Sequence, residues 1–438
     1  MATGEEAMRV QGVDRTEPDV ERSTGRHGVN GFGRQLVVIS PGIPHESRGA
    51  STVLFYHYIS GFKKSGYRIM NILLLQPDNS TEEGFAEYER RMTDGECFAV
   101  LPCRAETFVQ WKRIGFRLST SAVSEALAQA QRFQPDAVVC FDLLSAWVGA
   151  QIRGGAKIAW LGDLRFQTEW HHAWYGIKES WSNLRNLPAA WLSCRAWRRV
   201  YRQVLSSMDS VIVSAKISQA HLRQIGIQSR YLPYPWPDVA RSGKEAAVER
   251  SGIPSFLFLG TLTGLGSRSA FHFMLDEVYP EAVQLWGKNG FRIVIVGARG
   301  LPTWVESELG DRPELKYLGF VEDIAQVMRL CHAVLVPIEV PVGNRSRILT
   351  ALAAGVPVVA HQNAALGNPD LVDGATCYLA GDGRSFVERM RRAVERPEEV
   401  ERIVRRGRAC YEAHFAPEAA AGMMLAEVDR VARGRERG

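Results

Sequence analysis

The chain has 438 residues, 46% hydrophobic and 23% charged, with 53 basic against 48 acidic side chains and a formal charge of +5. That length exceeds one ordinary domain. So slight a positive excess does not argue for nucleic acid, whose footprint is a concentrated basic stripe, and suits an anionic ligand or an acidic membrane surface, between which local clusters decide. No run approaches the roughly 20 apolar residues needed to span a bilayer, so the sequence does not read as an integral membrane protein.

Residues 1–34 are rich in Gly, Arg, Glu and Thr and hold no apolar run. They read as a disordered extension, since a secretory signal needs a continuous apolar segment. A β-rich run at 35–40 stops at Pro41-Gly42-Ile43-Pro44. After Gly49 a helix is expected over 52–64 and a second strand over 68–75. A helix at 121–132 and strands at 137–141 and 157–161 follow, the last ending at Gly162-Asp163. Near-continuous apolar strands separated by helices predict a parallel sheet covered on both faces. An aromatic and basic stretch then runs over 170–205, before a strand at 211–214 and a helix at 217–225. Three prolines in 231–238 and the charged segment 239–253 mark a boundary. The first domain is therefore expected over 35–238, with 239–253 as linker.

A second series of βα units occupies 254–414. Strands are expected at 256–259, 291–296, 315–318, 334–336 and 357–360, the first three meeting Gly260, Gly297 and Gly319. Helices are expected at 270–279, 348–354, 385–394 and 398–414, and a last amphipathic helix lies in the tail 415–438. Of the seven cysteines, an odd number, no two form a C-x-x-C pair. That spacing argues against a disulfide framework or zinc site and for a reducing, cytoplasmic setting.

The densest chemistry lies between Gly343 and Ala360: G-N-R-S-R-I-L-T-A-L-A-A-G-V-P-V-V-A. A loop with Arg345 and Arg347 enters a helix near Ile348, which turns at Gly355 into a buried strand. Helix N–H groups beside two guanidiniums suit a pyrophosphate; an exposed arginine pair in a loop is the plainer alternative. This segment resembles the C-terminal domain of the group 1, 4-like glycosyltransferases. Gly260-Thr261-Leu262, the strand ending at Gly297, Leu318-Gly319-Phe320-Val321-Glu322-Asp323 and residues 333–337 are similar to that family's motifs in the same order. Pro135-Asp136-Ala137-Val138-Val139, residues 208–214 and Leu232-Pro233 resemble its N-terminal half more loosely.

The resemblance implies a GT-B fold, two Rossmann-like doubly wound domains facing across a cleft. It implies transfer of a sugar from a nucleoside-diphosphate sugar to a glycan, lipid-linked or small-molecule acceptor, with retention and without a metal or other cofactor. The donor residues it implies are Gly49, Gly260, Thr261, Arg268, Gly297, Arg299, Phe320, Val321, Gly343, Asn344, Arg345, Ser346, Arg347 and Thr350. Thr261 and Gly266 stand where many relatives carry Arg and Lys, and Val342 and Thr350 where they carry glutamates. That depletion keeps a non-catalytic partner protein open, beside a UDP-sugar epimerase. No G-x-G-x-x-G follows a strand, which weakens a dinucleotide oxidoreductase.

Asp142 and Asp163 each end a strand on the side where open α/β sheets gather ligands, and are the candidate acid or base; a helix-capping aspartate is the alternative reading of both. His171-His172 lack a third ligand at metal spacing, and His45 and Glu46 are candidates to touch acceptor hydroxyls. Residues 191–202, with Trp191, Arg195, Trp197, Arg198, Arg199, Tyr201 and Arg202, read either as a helix peripheral to the inner membrane face or as a core helix with solvated arginines.

Overall fold

In the computed structural model the described residues are 34–46, 49, 51–75, 82–92, 97–110, 113–118, 120–242, 252–297, 300–343 and 345–436. The expected extension 1–34 lies outside them but for Arg34, and so does 243–251 of the linker.

Among the described residues, fourteen strands form two sheets. The first is built from β1 (Gln35–Pro41), β2 (Arg68–Leu75), β3 (Cys97–Gln110), β4 (Arg113–Leu118), β5 (Ala137–Phe141), β6 (Ala156–Leu161), β7 (Ser210–Val213) and β8 (Arg230–Tyr231), in the order β4-β3-β2-β1-β5-β6-β7-β8. All its pairings are parallel except the antiparallel β3–β4 hairpin. The second comprises β9 (Ser255–Leu259), β10 (Arg292–Val296), β11 (Leu315–Gly319), β12 (Ala333–Val336), β13 (Val358–His361) and β14 (Tyr378–Ala380), in the order β11-β10-β9-β12-β13-β14. Every strand of that sheet runs parallel to its neighbours.

The apolar runs follow from this placement. Residues 36–39 of β1 and all of β5 are buried on both faces, because helices cover both sides of the sheet. The strand order reverses at β1/β5 in the first sheet and at β9/β12 in the second. Helices diverge to opposite faces there and open a crevice at the carboxyl ends of the strands. The two crevices face each other, as the expected two-domain cleft requires.

The hairpin β3–β4 was not expected. Its strands carry no clean apolar alternation, and Pro102 stands inside β3. Pro102 pairs with Leu73 of β2, whereas among the described residues β4 joins only from Ala105 onward, so the proline occupies a stretch paired on one side, where a strand proline is tolerated.

The halves are joined twice. Trp236 N donates to the Phe415 carbonyl (2.8 Å) and the Tyr411 hydroxyl to the Trp236 carbonyl (2.7 Å), so both connections run side by side. The last helix, Pro417–Glu436, then returns to the first half. Its buried stripe of Ala421, Met424, Leu425, Val428 and Val431 has helical spacing. Ala421 lies directly on Gly61 of the helix Ser51–Lys64, where no larger residue fits. Glu427 receives the Ser210 hydroxyl (2.7 Å), fixing the helix on β7.

Candidate active site

On the N-terminal side, the ends of β1, β5 and β6 surround a cavity of about 690 Å³ lined by Gly42, His45, Gly49, Ser51, Thr52, Asp142, Trp160, Asp163 and Arg165, among others. Asp142 turns the chain from β5 directly into the helix Asp142–Gly149 with φ +74°, a left-handed conformation that aspartate tolerates better than most residues. Its Oδ1 accepts the Leu143 N–H at 2.7 Å. Burial pushes the Asp142 carboxyl up from its ordinary range, opposed by the Leu143 N–H and by Arg165. Asp163 follows Gly162 beyond β6, recessed in the cleft yet open to water. Burial pushes it up as well; the facing Arg345 guanidinium holds it back and the Asp142 charge adds to the rise.

On the C-terminal side a second cavity, about 430 Å³, is lined by Tyr234, Trp236, Gly264, Leu265, Gly266, Ser267, Val342, Gly343, Arg345, Ser346 and Arg347. Two helices begin in its wall, Leu265–Phe273 after Gly264 and Ser346–Ala354 after Arg345, and no side chain caps either. Their first N–H groups and the positive ends of their dipoles therefore belong to the cavity. Arg347 lies against Gly260 at the end of β9 and donates to the Ser267 hydroxyl. Burial, then the neighbouring Arg345, lowers its pKa to about 10, so it remains a cation at neutral pH. The two cavities share Ser51, Trp160, Gly162, Asp163 and Thr168, and so meet at Asp163.

The expected site residues divide into three groups. Gly260, Gly343, Ser346, Arg347 and Asp163 come together as anticipated. Gly297 and Phe320 end the adjacent strands β10 and β11 on the same rim. Gly297 N donates to the Gly319 carbonyl (3.0 Å), and a Cβ on Gly297, whose φ is +143°, would stand 2.7 Å from the Gly260 carbonyl oxygen. Phe320 is exposed and Val321 half-buried beside it.

Others stand elsewhere or do other work. Arg345 is buried and donates to the carbonyls of Val340 (2.5 Å), Val342 (2.5 Å) and Gly343 (3.1 Å). Both members of the expected guanidinium pair thus line the cavity, but Arg345 is committed to the carbonyls of its own loop. Arg268 ion-pairs with Glu179. Thr261 is exposed, its hydroxyl 3.2 Å from that of Thr263. Thr350 sits behind Trp236, whose indole N–H donates to its hydroxyl at 2.9 Å. Gly49 lines the N-terminal cavity and not the C-terminal one. Arg299 and Asn344 lie outside the described residues.

Trp160, Tyr234, Trp236, Ser267 and Thr168 were missed. Only Trp236 carried a signal, in the run Tyr234-Pro235-Trp236 just ahead of the expected linker. His45 lines the N-terminal cavity, whereas Glu46 pairs with Arg91 (3.4 Å). Among the described residues no three His, Cys, Asp or Glu side chains gather as a metal site would require.

The helix Arg165–Glu179 bridges the two halves. Gln167 Nε2 donates to the Pro341 carbonyl (3.2 Å), the Tyr175 hydroxyl meets His272 Nδ1 (2.7 Å), and Lys178 pairs with Glu339 (2.9 Å). Tyr175 also packs with Leu265 and Val340 in a small core of its own. The helix Leu187–Leu205 lies antiparallel to it. Its Trp197 and Tyr201 are buried, Trp197 donating to Glu169 (2.7 Å) and the Tyr201 hydroxyl accepting the Arg165 N–H (3.0 Å). The core reading of residues 191–202 holds for these two aromatics. Among the described residues no helix is long and apolar enough to cross a membrane.

Family comparison gives two matches, a Glycosyl transferase 4-like domain over residues 49–235 and Glycosyl transferases group 1 over 253–396. No curated protein matches the chain by sequence. Among solved structures the chain is similar to sucrose-phosphate synthase from Thermosynechococcus elongatus, with 16% identity, 91% of this chain and 99% of that one covered and a TM-score of 0.59. HepE of Anabaena in complex with UDP gives 14% identity, 91% and 100% coverage and 0.59. A glycosyltransferase from Rickettsia africae gives 10%, 91% and 98% coverage and 0.62. Identities this low speak for the fold alone.

Proposed function

The chain belongs to the group 1, 4-like glycosyltransferases, and from that premise we propose that its cleft transfers a sugar from a nucleoside-diphosphate sugar, with retention of anomeric configuration and without a bound metal. One observation carries this reading: a cavity holding Arg347 and two uncapped helix starts opens onto a second cavity, and Asp163 stands where they meet. The diphosphate occupies the first cavity and the acceptor the second. When the bond between the anomeric carbon and the β-phosphate oxygen breaks, its electrons leave with the diphosphate. Arg347 and the helix N-termini face that growing charge, the task a divalent ion performs elsewhere. The acceptor oxygen bonds to the anomeric carbon on the face the diphosphate vacates, which retains configuration, and its proton passes to the Asp163 carboxylate as the O–H bond breaks. The carboxyl's raised proton affinity favours this role. UDP in the HepE structure supports a nucleoside diphosphate for this chain too. The acceptor is a sugar or a lipid-linked molecule, and the protein works in the cytoplasm, peripheral to the inner membrane face.

Three measurements test the reading. A thermal-shift panel of nucleoside diphosphates and their sugars is expected to raise the melting temperature with at least one base. Asp163→Asn is expected to keep that shift while turnover falls by about 10²–10³-fold. Loss of the shift in every arm would remove the donor assignment, and full turnover in the variant would remove Asp163. Donor alone must not yield an epimerised sugar.

A further inference from the structure

Several large apolar side chains are exposed together on one hairpin, while others such as Leu318, Phe320 and Val372 stand elsewhere on the surface. Trp181 is 81% exposed, Trp174 55%, Leu192 53%, Trp191 50% and Leu184 50%. All belong to the hairpin made by the helix Arg165–Glu179, the 3₁₀ turn Trp181–Asn186 and the helix Leu187–Leu205. Glu169 meets Ser193 and Trp197 across the hairpin, so its antiparallel register brings Trp174 level with Trp191. Asn183 Nδ2 donates to the Gly176 carbonyl (2.8 Å) and folds the turn with Trp181 onto the same end. Five such residues on a short hairpin are far from the scattered exposed leucines of ordinary surfaces.

Charge identifies what covers them. Between Ser180 and Ser206 the chain carries Arg185, Arg195, Arg198, Arg199 and Arg202 and no Asp or Glu. Arg195 lies over the Trp191 ring at 4.8 Å and keeps its cation at the rim of the patch. Tryptophan and leucine with arginine at the border is the composition of a surface that sits at the lipid headgroup level. A two-fold contact between copies would set this cationic segment against itself, which disfavours self-association.

We propose that this hairpin docks on an anionic lipid surface through Trp174, Trp181, Leu184, Trp191 and Leu192, with Arg185 and Arg195 beside them. The proposal rests on the peripheral location given above and assigns the contact to the hairpin end, not to the buried Trp197 and Tyr201. Docking there leaves the cleft open, and Lys178 of the same helix already touches the C-terminal half at Glu339. A lipid-linked acceptor would then reach the mouth of the cleft from the surface on which the enzyme lies.

Sedimentation of the full chain with vesicles tests this. The protein is expected to pellet with vesicles of phosphatidylcholine and phosphatidylglycerol, weakly with phosphatidylcholine alone, and less as salt rises. The triple variant Trp174→Ser, Trp181→Ser, Trp191→Ser is expected to lower partitioning by about tenfold or more. Its melting temperature and nucleotide-induced shift should be unchanged, because the three rings are exposed and stand outside both cavities. Arg185→Glu with Arg199→Glu is expected to abolish the preference for anionic vesicles. Equal pelleting of the triple variant, no preference for anionic lipid, or a dimer that the triple variant converts to monomer would each overturn the proposal, while an unchanged nucleotide shift would leave the donor assignment standing.

Discussion

Replacing Arg347 by methionine removes one charge from the C-terminal cavity while keeping most of the side chain's length and apolar stem. Arg347 is held between the Ser267 hydroxyl and Gly260 and stays protonated at neutral pH, its pKa lowered to about 10. A charge-assisted hydrogen bond to a phosphate is worth about 1.5–3 kcal/mol. At roughly 1.4 kcal/mol per tenfold, nucleoside diphosphate binding should weaken by about 10–150-fold. Turnover should fall further, since donors aimed at charge that develops in the transition state contribute about 10²–10³-fold each. Stability should move the other way or not at all. Burial and the repulsion from Arg345 both disfavour the cation, so its removal relieves the folded state. Calorimetric titration with the diphosphate found by thermal shift, beside the melting temperature of the unliganded variant, separates these effects. An unchanged dissociation constant would refute the phosphate assignment, and a collapsed melting temperature would show Arg347 to be structural.

Two neighbouring glycines should behave differently. In Gly260→Ala the new methyl meets the Arg347 guanidinium and the Ser267 hydroxyl at 3.1 Å with no backbone strain, so folding should persist while nucleotide affinity drops about tenfold. Gly297→Ala presses on the rigid Gly260 carbonyl at 2.7 Å with φ +143° and should cost about 2 kcal/mol or more, read by urea denaturation. At Asp142, asparagine tolerates the left-handed backbone and valine does not. Asp142→Val should lose about 2 kcal/mol or more by the same assay. The folded Asp142 carboxyl binds its proton more tightly than the unfolded one, so its ionised form costs stability at neutral pH. Asp142→Asn should therefore melt at or above the parent temperature at pH 7, an advantage that vanishes on acidification. His57, His171, His172, His221 and His361 are all pushed below the ordinary histidine value of 6.5, first by burial. The unfolded chain then takes up protons that the folded one refuses, so stability is present above about pH 6.5 and is lost as pH falls below it. A melting temperature that stays flat between pH 7.5 and 5.5 would contradict that sign.

The strands of both sheet centres were readable because burial on two faces demands continuous apolar runs such as residues 36–39 and 334–336. Glycines at the ends of β9, β10 and β11 marked the rim of the cleft for the same reason. Arg347 was legible from its place at a helix start, and Asp163 from its strand-end position. The partition between Arg345 and Arg347 was not, since two cations two residues apart look alike until one finds three carbonyls. The aromatic wall of Trp160, Tyr234 and Trp236 could not be told from core residues by periodicity. Thr350 was assigned by register with relatives, and that its hydroxyl takes the Trp236 indole N–H could not be read from that register. The edge hairpin β3–β4 and the helix Asp142–Gly149 escaped notice because one lacks alternation and the other starts at an aspartate with a left-handed backbone.

The return of Pro417–Glu436 onto Ser51–Lys64 has a consequence for engineering. A chimera meant to exchange donor preference would naturally be cut after Trp236 and carry everything downstream. Such a graft would bring a foreign terminal helix to a face shaped around Gly61 and Glu427. The workable exchange ends near Phe415 and leaves the final twenty-odd residues native, so that the transplanted piece is an insert with two seams.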